Sequence, residues 1–169
     1  TVYLTQEKLE EANADLDAVQ AINPNLPQLY LLRASVFEQQ EDYLQAAKLI
    51  EAILRFAPTD SRLRLRAAMD YSMAEDFDNA IKHSDFVIER DAENWLAYYS
   101  RADIYLSMGE HSKAVKDYER AFELNQEYDN LLNNLAWTLA TSTDDDVRDG
   151  KRAVELALKA CENTEYKTP

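Results

Sequence analysis

Alanine recurs at positions 34, 68, 102 and 136, and this 34-residue interval, more than any other feature, limits what the chain can fold into. Three residues beyond each alanine stands a larger apolar side chain, Phe37, Tyr71, Tyr105 or Leu139, and one interval before Phe37 lies Tyr3. A second set keeps the same phase: Ala12, Ala46, Ala80 and Ala114, then Leu16, Ile50, Ser84 and Tyr118, then Val19, Ile53, Val87 and Ala121. Within a period the apolar residues fall at helical spacing, Tyr30, Ala34, Phe37 and then Ala46, Ile50, Ile53, so each period predicts two amphipathic helices. The alanines let two helix backbones approach closely, and the large residue beside each fills the adjoining gap. Such a repeat predicts hairpins whose cores are shared with their neighbours.

Short polar breaks separate the paired helices: QQED at 39–42, AEDF at 74–77 and SMGEH at 107–111. Asp42 and Asp76 are placed to cap the helix that follows, with Glu110 a weaker substitute. Pro24 and Pro58 end the second helix of two units, where the later units carry Ala92 and Gln126. The expected organisation is one continuous array: a partial unit at 1–26, full units at 27–60, 61–94 and 95–128, and a longer one at 129–167. In that last unit the second small residue, Ala153, arrives five residues late, behind an acidic loop whose Asp149 would cap the next helix. Residues 1–22 read either as the end of one helix near Gln6 followed by a second through Ile22, or as a single helix. Val154 and Leu158 lie on a face that a further repeat would cover, and TEYKTP resembles a lead-in to one. The expectation is a piece of a longer array, or ends buried by self-association.

Composition agrees with an all-α class. Only two Gly and four Pro occur in 169 residues, too few for a turn-rich β-fold, and 46% hydrophobic content suffices for a core. The net charge is −14 and is spread over all the units. The one basic cluster is Arg62, Arg64 and Arg66, which argues against nucleic acid and against an anionic membrane surface. A lone cysteine, Cys161, rules out an internal disulfide framework. No apolar run approaches the roughly 18 residues of a spanning helix. Cytoplasm and periplasm are both open as compartments.

Helical pairs of 34 residues with this small–large pattern resemble the tetratricopeptide repeat family. The match is carried by Ala34, Phe37, Ala46, Ile50 and Pro58, by Ala68, Tyr71 and Ala80, and by Ala102, Tyr105, Gly109, Ala114, Tyr118 and Ala121. It covers nearly the whole chain. The resemblance implies a right-handed α-solenoid, a concave side lined by the first helix of each pair, and a scaffold for protein or peptide partners without catalysis or cofactors. In the last unit NLAWTLAT at 134–141 and RDGKRAVELA at 148–157 are similar to a variant repeat of bacterial members, which implies a bacterial source. Arg64 and Ser84 stand where larger apolar residues are usual, so looser packing is expected at 61–94.

Groups that could do chemistry are few. His83 is expected on the outer surface, and His111, in the column of Tyr43 and Phe77, is expected to pack against the preceding helix. Neither has a nucleophile at helical spacing. The loop at Asp144, Asp146 and Glu155 has the oxygens of a calcium site but not its register, because Arg148 takes a ligand place and Asp149 the place of the turning glycine. Cys161 follows Leu54, Ile88 and Phe122 in its column and is expected to be a buried packing thiol.

The first-helix residues left over from packing form the candidate binding groove: Leu31, Ser35, Arg62, Leu65, Met69, Met73, Tyr99, Asp103, Leu106, Asn133 and Trp137. A carboxylate clamp of the best-known family subtype is disfavoured. Leu31 with Ser35 and Leu65 with Met69 occupy its Lys and Asn places, and only Arg62 and Arg66 resemble its basic pair. What remains is an apolar seam of Met69, Met73, Tyr99, Leu106 and Trp137, suited to an extended or helical peptide with apolar anchors. Trp137 is expected to be partly exposed, and Tyr105 to lie between helices. Three alternatives stay open: packing of the seam residues against their own helices, homo-oligomerisation through the array ends, and a regulatory role within a larger multidomain protein.

Overall fold

The computed structural model describes residues 6–23, 26–126 and 128–165. Tyr3, Pro24 and the end of the TEYKTP lead-in lie outside them. Among the described residues there are nine helices and no strand: α1 Gln6–Ile22, α2 Pro27–Gln39, α3 Tyr43–Leu54, α4 Ser61–Met73, α5 Phe77–Arg90, α6 Trp95–Ser107, α7 His111–Leu124, α8 Asp129–Thr141 and α9 Gly150–Glu165. The chain divides into two compact units, one up to His83 and one from Ser84 onward. In the first, α2 packs on α1 and α3, and α3 on α4; in the second, α7 packs on α6 and α8, and α8 on α9.

The turn inside each hairpin has the same construction three times. The Asp42 amide donates to the Phe37 carbonyl and Glu41 to Glu38; Asp76 to Tyr71 and Glu75 to Ser72; Glu110 to Tyr105 and Gly109 to Leu106. These paired bonds satisfy the last carbonyls of the first helix and require a left-handed residue between them. That residue is Glu41 (φ 60°), Glu75 (φ 59°) or Gly109 (φ 74°), each 34 residues after the last. The next residue starts the second helix. Asp42 accepts from Gln45 N at 3.3 Å and Asp76 from Asn79 N at 3.3 Å, whereas Glu110 makes no side-chain cap bond.

The repeating columns form the core. Ala34, Ala68, Ala102 and Ala136 are buried, as are Ala46, Ala80 and Ala114, and Ile50, Ser84 and Tyr118 beneath them. Val19 departs from its column and is exposed. In the second unit Ala102, Ala114, Tyr118, Leu135, Leu139 and Ala153 form one cluster, with Tyr105 and Leu106 half-buried against it. Ala153 reaches it despite the five extra residues because the loop is tied back on itself. The Asp149 amide donates to the Leu139 carbonyl at 3.0 Å, Arg148 to the Ser142 carbonyl at 3.1 Å, and Asp149 caps α9 through Arg152 N at 3.0 Å.

Two expectations about single residues are corrected. His83 is 2% exposed. Its ring stacks on Tyr71 at 5.7 Å, with Arg64 and Glu51 each 3.4 Å from one ring nitrogen. Burial and the Arg64 charge hold its pKa below the ordinary imidazole value, against the pull of Glu51. Cys161 is exposed. The buried column of Ile53, Val87 and Ala121 continues into Ala160, and one residue further turns the thiol about 100° around the helix. Arg64 anchors the chain before α4 by donating to the Pro58 carbonyl from Nε and Nη2 at 3.1 and 2.9 Å.

Candidate peptide-binding face

On the first unit the candidate residues lie on α2 and α4. Leu31 is half-buried and Ser35 exposed. Arg62 points into solvent, its Nε 3.9 Å from the cap residue Asp60. Leu65 does not contribute surface: at 9% exposure it belongs to the core. Met69 and Met73, 65% and 53% exposed, are the large apolar groups that α4 presents. Between α2 and α4 runs a polar bridge that the sequence pattern does not reveal. Arg66 donates from Nε to Glu38 at 2.7 Å and from Nη2 to Ser35 at 2.8 Å. Beside it Asp70 is 4% exposed. Burial pushes its carboxyl up to about 7, helped by the charge of Glu38 and a hydrogen bond to it and opposed by Arg66.

On the second unit the corresponding helices are α6 and α8. Asn134 donates from Nδ2 to the Tyr99 hydroxyl at 2.9 Å and to Asp103 Oδ1 at 3.3 Å, and Tyr118 donates its hydroxyl to the same carboxylate oxygen. Burial raises the Asp103 pKa, while the two donors act in the opposite direction. Burial, then Asp103, pushes the Tyr99 hydroxyl up to about 12. Tyr99 also packs in an aromatic cluster, its ring 5.9 Å from Tyr118, 5.6 Å from Tyr128 and 6.4 Å from Trp95. Tyr99 and Asp103 are therefore held by their own unit, and Leu106 packs on its core. Asn133 and Trp137 are exposed, Trp137 by 65%.

The two bridges are equivalent positions of the repeat. Ser35 and Arg66 become Asp103 and Asn134 two periods later, and Glu38 with Asp70 become Leu106 with Thr138. The available signal was the 31-residue offset of polar residues on successive first helices. It is invisible when only the apolar columns are compared.

The remaining reactive groups are engaged in structure. His111 Nδ1 lies 2.8 Å from Ser142 Oγ at the end of α8, a partner that column comparison did not indicate. Asp146 N donates to Asp144 at 3.0 Å, and Arg148 pairs with Asp145. Among the described residues no three His, Cys, Asp or Glu side chains converge as metal ligands, and no helix is long and apolar enough to cross a membrane.

Helix pairs at a 34-residue interval, closed over alanine crossings and presenting side chains from their first helices, define an all-α solenoid of the interaction-scaffold class. The chain belongs to the tetratricopeptide repeat family, matching it over residues 1–61 and again over 95–128. Members of this family bind protein or peptide partners. The chain is 31% identical over 106 residues to a tetratricopeptide repeat and J domain-containing co-chaperone of Fusarium oxysporum f. sp. lycopersici (63% of this chain, 20% of the relative). It is 39% identical over 54 residues to DnaJ homolog subfamily C member 3 of Gallus gallus (32% and 11%), and 23% over 159 residues to anaphase-promoting complex subunit 3 of Schizosaccharomyces pombe (94% and 22%). It thus spans between 11% and 22% of the length of these relatives. Among solved structures, MamA of Desulfovibrio magneticus RS-1 superposes with a TM-score of 0.77 at 18% identity, covering 96% of this chain and 89% of that one. YrrB, described as a TPR protein with an unusual peptide-binding site, gives 0.66 at 17% identity, covering 95% and 80%. At such identities the likeness concerns the fold.

Proposed function

We propose that this chain is a non-catalytic scaffold that binds a peptide or protein segment on its first helices, with Met69 and Met73 as the apolar anchors of the first unit and Trp137 as that of the second. One observation carries this reading. Met69 and Trp137 occupy the same column of the repeat, two periods apart, and both are 65% exposed, whereas the residues on either side of each in the chain, Ala68 and Asp70, Ala136 and Thr138, are buried. Exposed methionine is adaptable and exposed tryptophan brings a large rigid contact area, the combination expected at a binding surface. Leu31, Ser35, Arg62 and Asn133 supply the polar and apolar surroundings of these anchors. Tyr99, Asp103 and Leu106 pack within the second unit, and Leu65 in the core of the first. The peptide-binding site named for YrrB supports the same use of the fold. The test is selection of a peptide library on the wild type and on Trp137→Ala. Selected peptides should shift indole emission to the blue and lose about 2 kcal/mol of binding in the variant. Equal binding to both proteins would remove the anchor and the reading with it.

A second reading, self-association, is favoured by Val154 and Leu158, adjacent on one face of α9 and 59% and 60% exposed. Sedimentation across a range of concentrations tests it, since Val154→Ser with Leu158→Ser should abolish any dimer.

A further inference from the structure

Two carboxyl groups and one guanidinium meet between α2 and α4, and the donors do not suffice. Arg66 directs Nε to Glu38 and Nη2 to Ser35. Asp70, 96% buried by its 4% exposure, has a hydrogen bond to the Glu38 carboxyl when protonated but receives no N–H donor at Oδ2, an uncommon and costly condition for a buried carboxylate oxygen. The charged groups acting on Asp70 are Glu38 from α2 and Arg66 from its own helix. The repeat does not require this cluster, because Leu106 and Thr138 fill the equivalent places in the second unit without any charge. Next to the cluster along α4 stand the exposed Met69 and Met73.

We propose that this face accepts a Lys or Arg side chain of a bound basic segment at Glu38 and Asp70, while an adjoining apolar residue of that segment lies on Met69 and Met73. The proposal rests on the peptide-binding reading above and specifies its occupant. An ammonium or guanidinium supplies the absent donor and matches two carboxylates with two cations. The net charge of −14 favours the approach of a basic segment. Until the segment arrives, a proton takes the place of that second cation on Asp70. Entry of the cation expels it: Asp70 loses its proton to solvent and with it the hydrogen bond to Glu38, and no other covalent bond changes. Apparent affinity then follows the ionised fraction of Asp70. With the carboxyl pushed up to about 7, binding is about tenfold tighter at pH 8 than at pH 6.

Calorimetry tests this with capped Leu-Lys-Leu peptides and the same peptides with norleucine for lysine, at pH 6, 7 and 8, each in two buffers of different ionisation enthalpy. The lysine peptide should bind about tenfold tighter at pH 8 than at pH 6, releasing a proton at the lower pH. Asp70→Asn, which keeps the size of the side chain, should lose both the pH dependence and the release. A lysine peptide that binds no better than the norleucine one, or an Asp70→Asn protein that keeps the dependence, overturns the proposal. If both peptides bind equally and Met69→Ser weakens them equally, the cation subsite alone is wrong. Indifference of library-selected peptides to Trp137→Ala would instead sink the peptide face itself.

Discussion

Arg101 meets Asp117 through two parallel hydrogen bonds, Nε to Oδ2 at 2.7 Å and Nη2 to Oδ1 at 2.9 Å, and its remaining arm reaches Asp85 at 2.5 Å. A single guanidinium thereby ties α6 to both α5 and α7 inside the second unit. The two-pronged geometry is available to arginine and not to lysine. Arg101→Ala should lower stability by about 2–3 kcal/mol, largely by leaving the nearly buried Asp117 without a partner. Arg101→Lys should recover less than half of that in urea denaturation. Equal stability of the lysine variant and the wild type would show that charge alone, and not the fork, holds the helices.

The left-handed turn residues offer a stabilising change. Glu41 and Glu75 hold the conformation that Gly109 holds one or two periods later, at a steric cost that glycine avoids. Glu41→Gly and Glu75→Gly should each raise stability by about 0.5–1 kcal/mol, and Gly109→Ala should lower it by about 1 kcal/mol. Nothing lies within 4 Å of a Cβ built at Gly109, so that loss would be a backbone effect alone. Thermal melts of the three variants check the ordering.

Crossing alanines tolerate no enlargement. Ala102 has no exposed surface, whereas Ser112 on α7 is exposed. Ala102→Phe should overpack the second unit and cost about 1–3 kcal/mol, and Ser112→Phe little. Equal shifts in melting temperature would mean that the column is misassigned.

Stability should depend on pH in two opposite ways. Asp70 has its folded pKa raised to about 7, so the folded protein holds a proton that the unfolded chain releases. Its contribution is most favourable at acid pH and is lost as pH rises from about 4 through 7. His83 has its folded pKa lowered, so the unfolded chain takes up the extra proton, and stability falls as pH drops below the ordinary imidazole range of about 6.5. Asp70→Asn should raise stability at pH 8 by about 1–3 kcal/mol and remove the Asp70 share of the slope, leaving those of His83 and Asp103. Chemical denaturation from pH 5 to 8.5 measures both, and an unchanged slope in the variant would refute the Asp70 assignment.

By itself the sequence determined what depends on local pattern and repetition. The alanine columns located the helix crossings, Asp42, Asp76 and Asp149 marked helix starts, and the five-residue delay before Ala153 located the inserted loop. These were legible because backbone capping and close helix approach demand particular residue types at fixed spacing. Tertiary structure alone decided which first-helix residues are presented and which are sealed. Leu65 lies in the core while Met69, one turn on, is exposed; His83 is covered by Tyr71, Arg64 and Glu51; Cys161 sits one residue past the buried column. It also brought Glu38 to Asp70 and Asp103 to Asn134, pairs 32 and 31 residues apart. Such pairings depend on where one helix crosses the next and how each side chain turns there. That geometry is set by the packing of the whole unit, so neither partner shows it in its own stretch of chain.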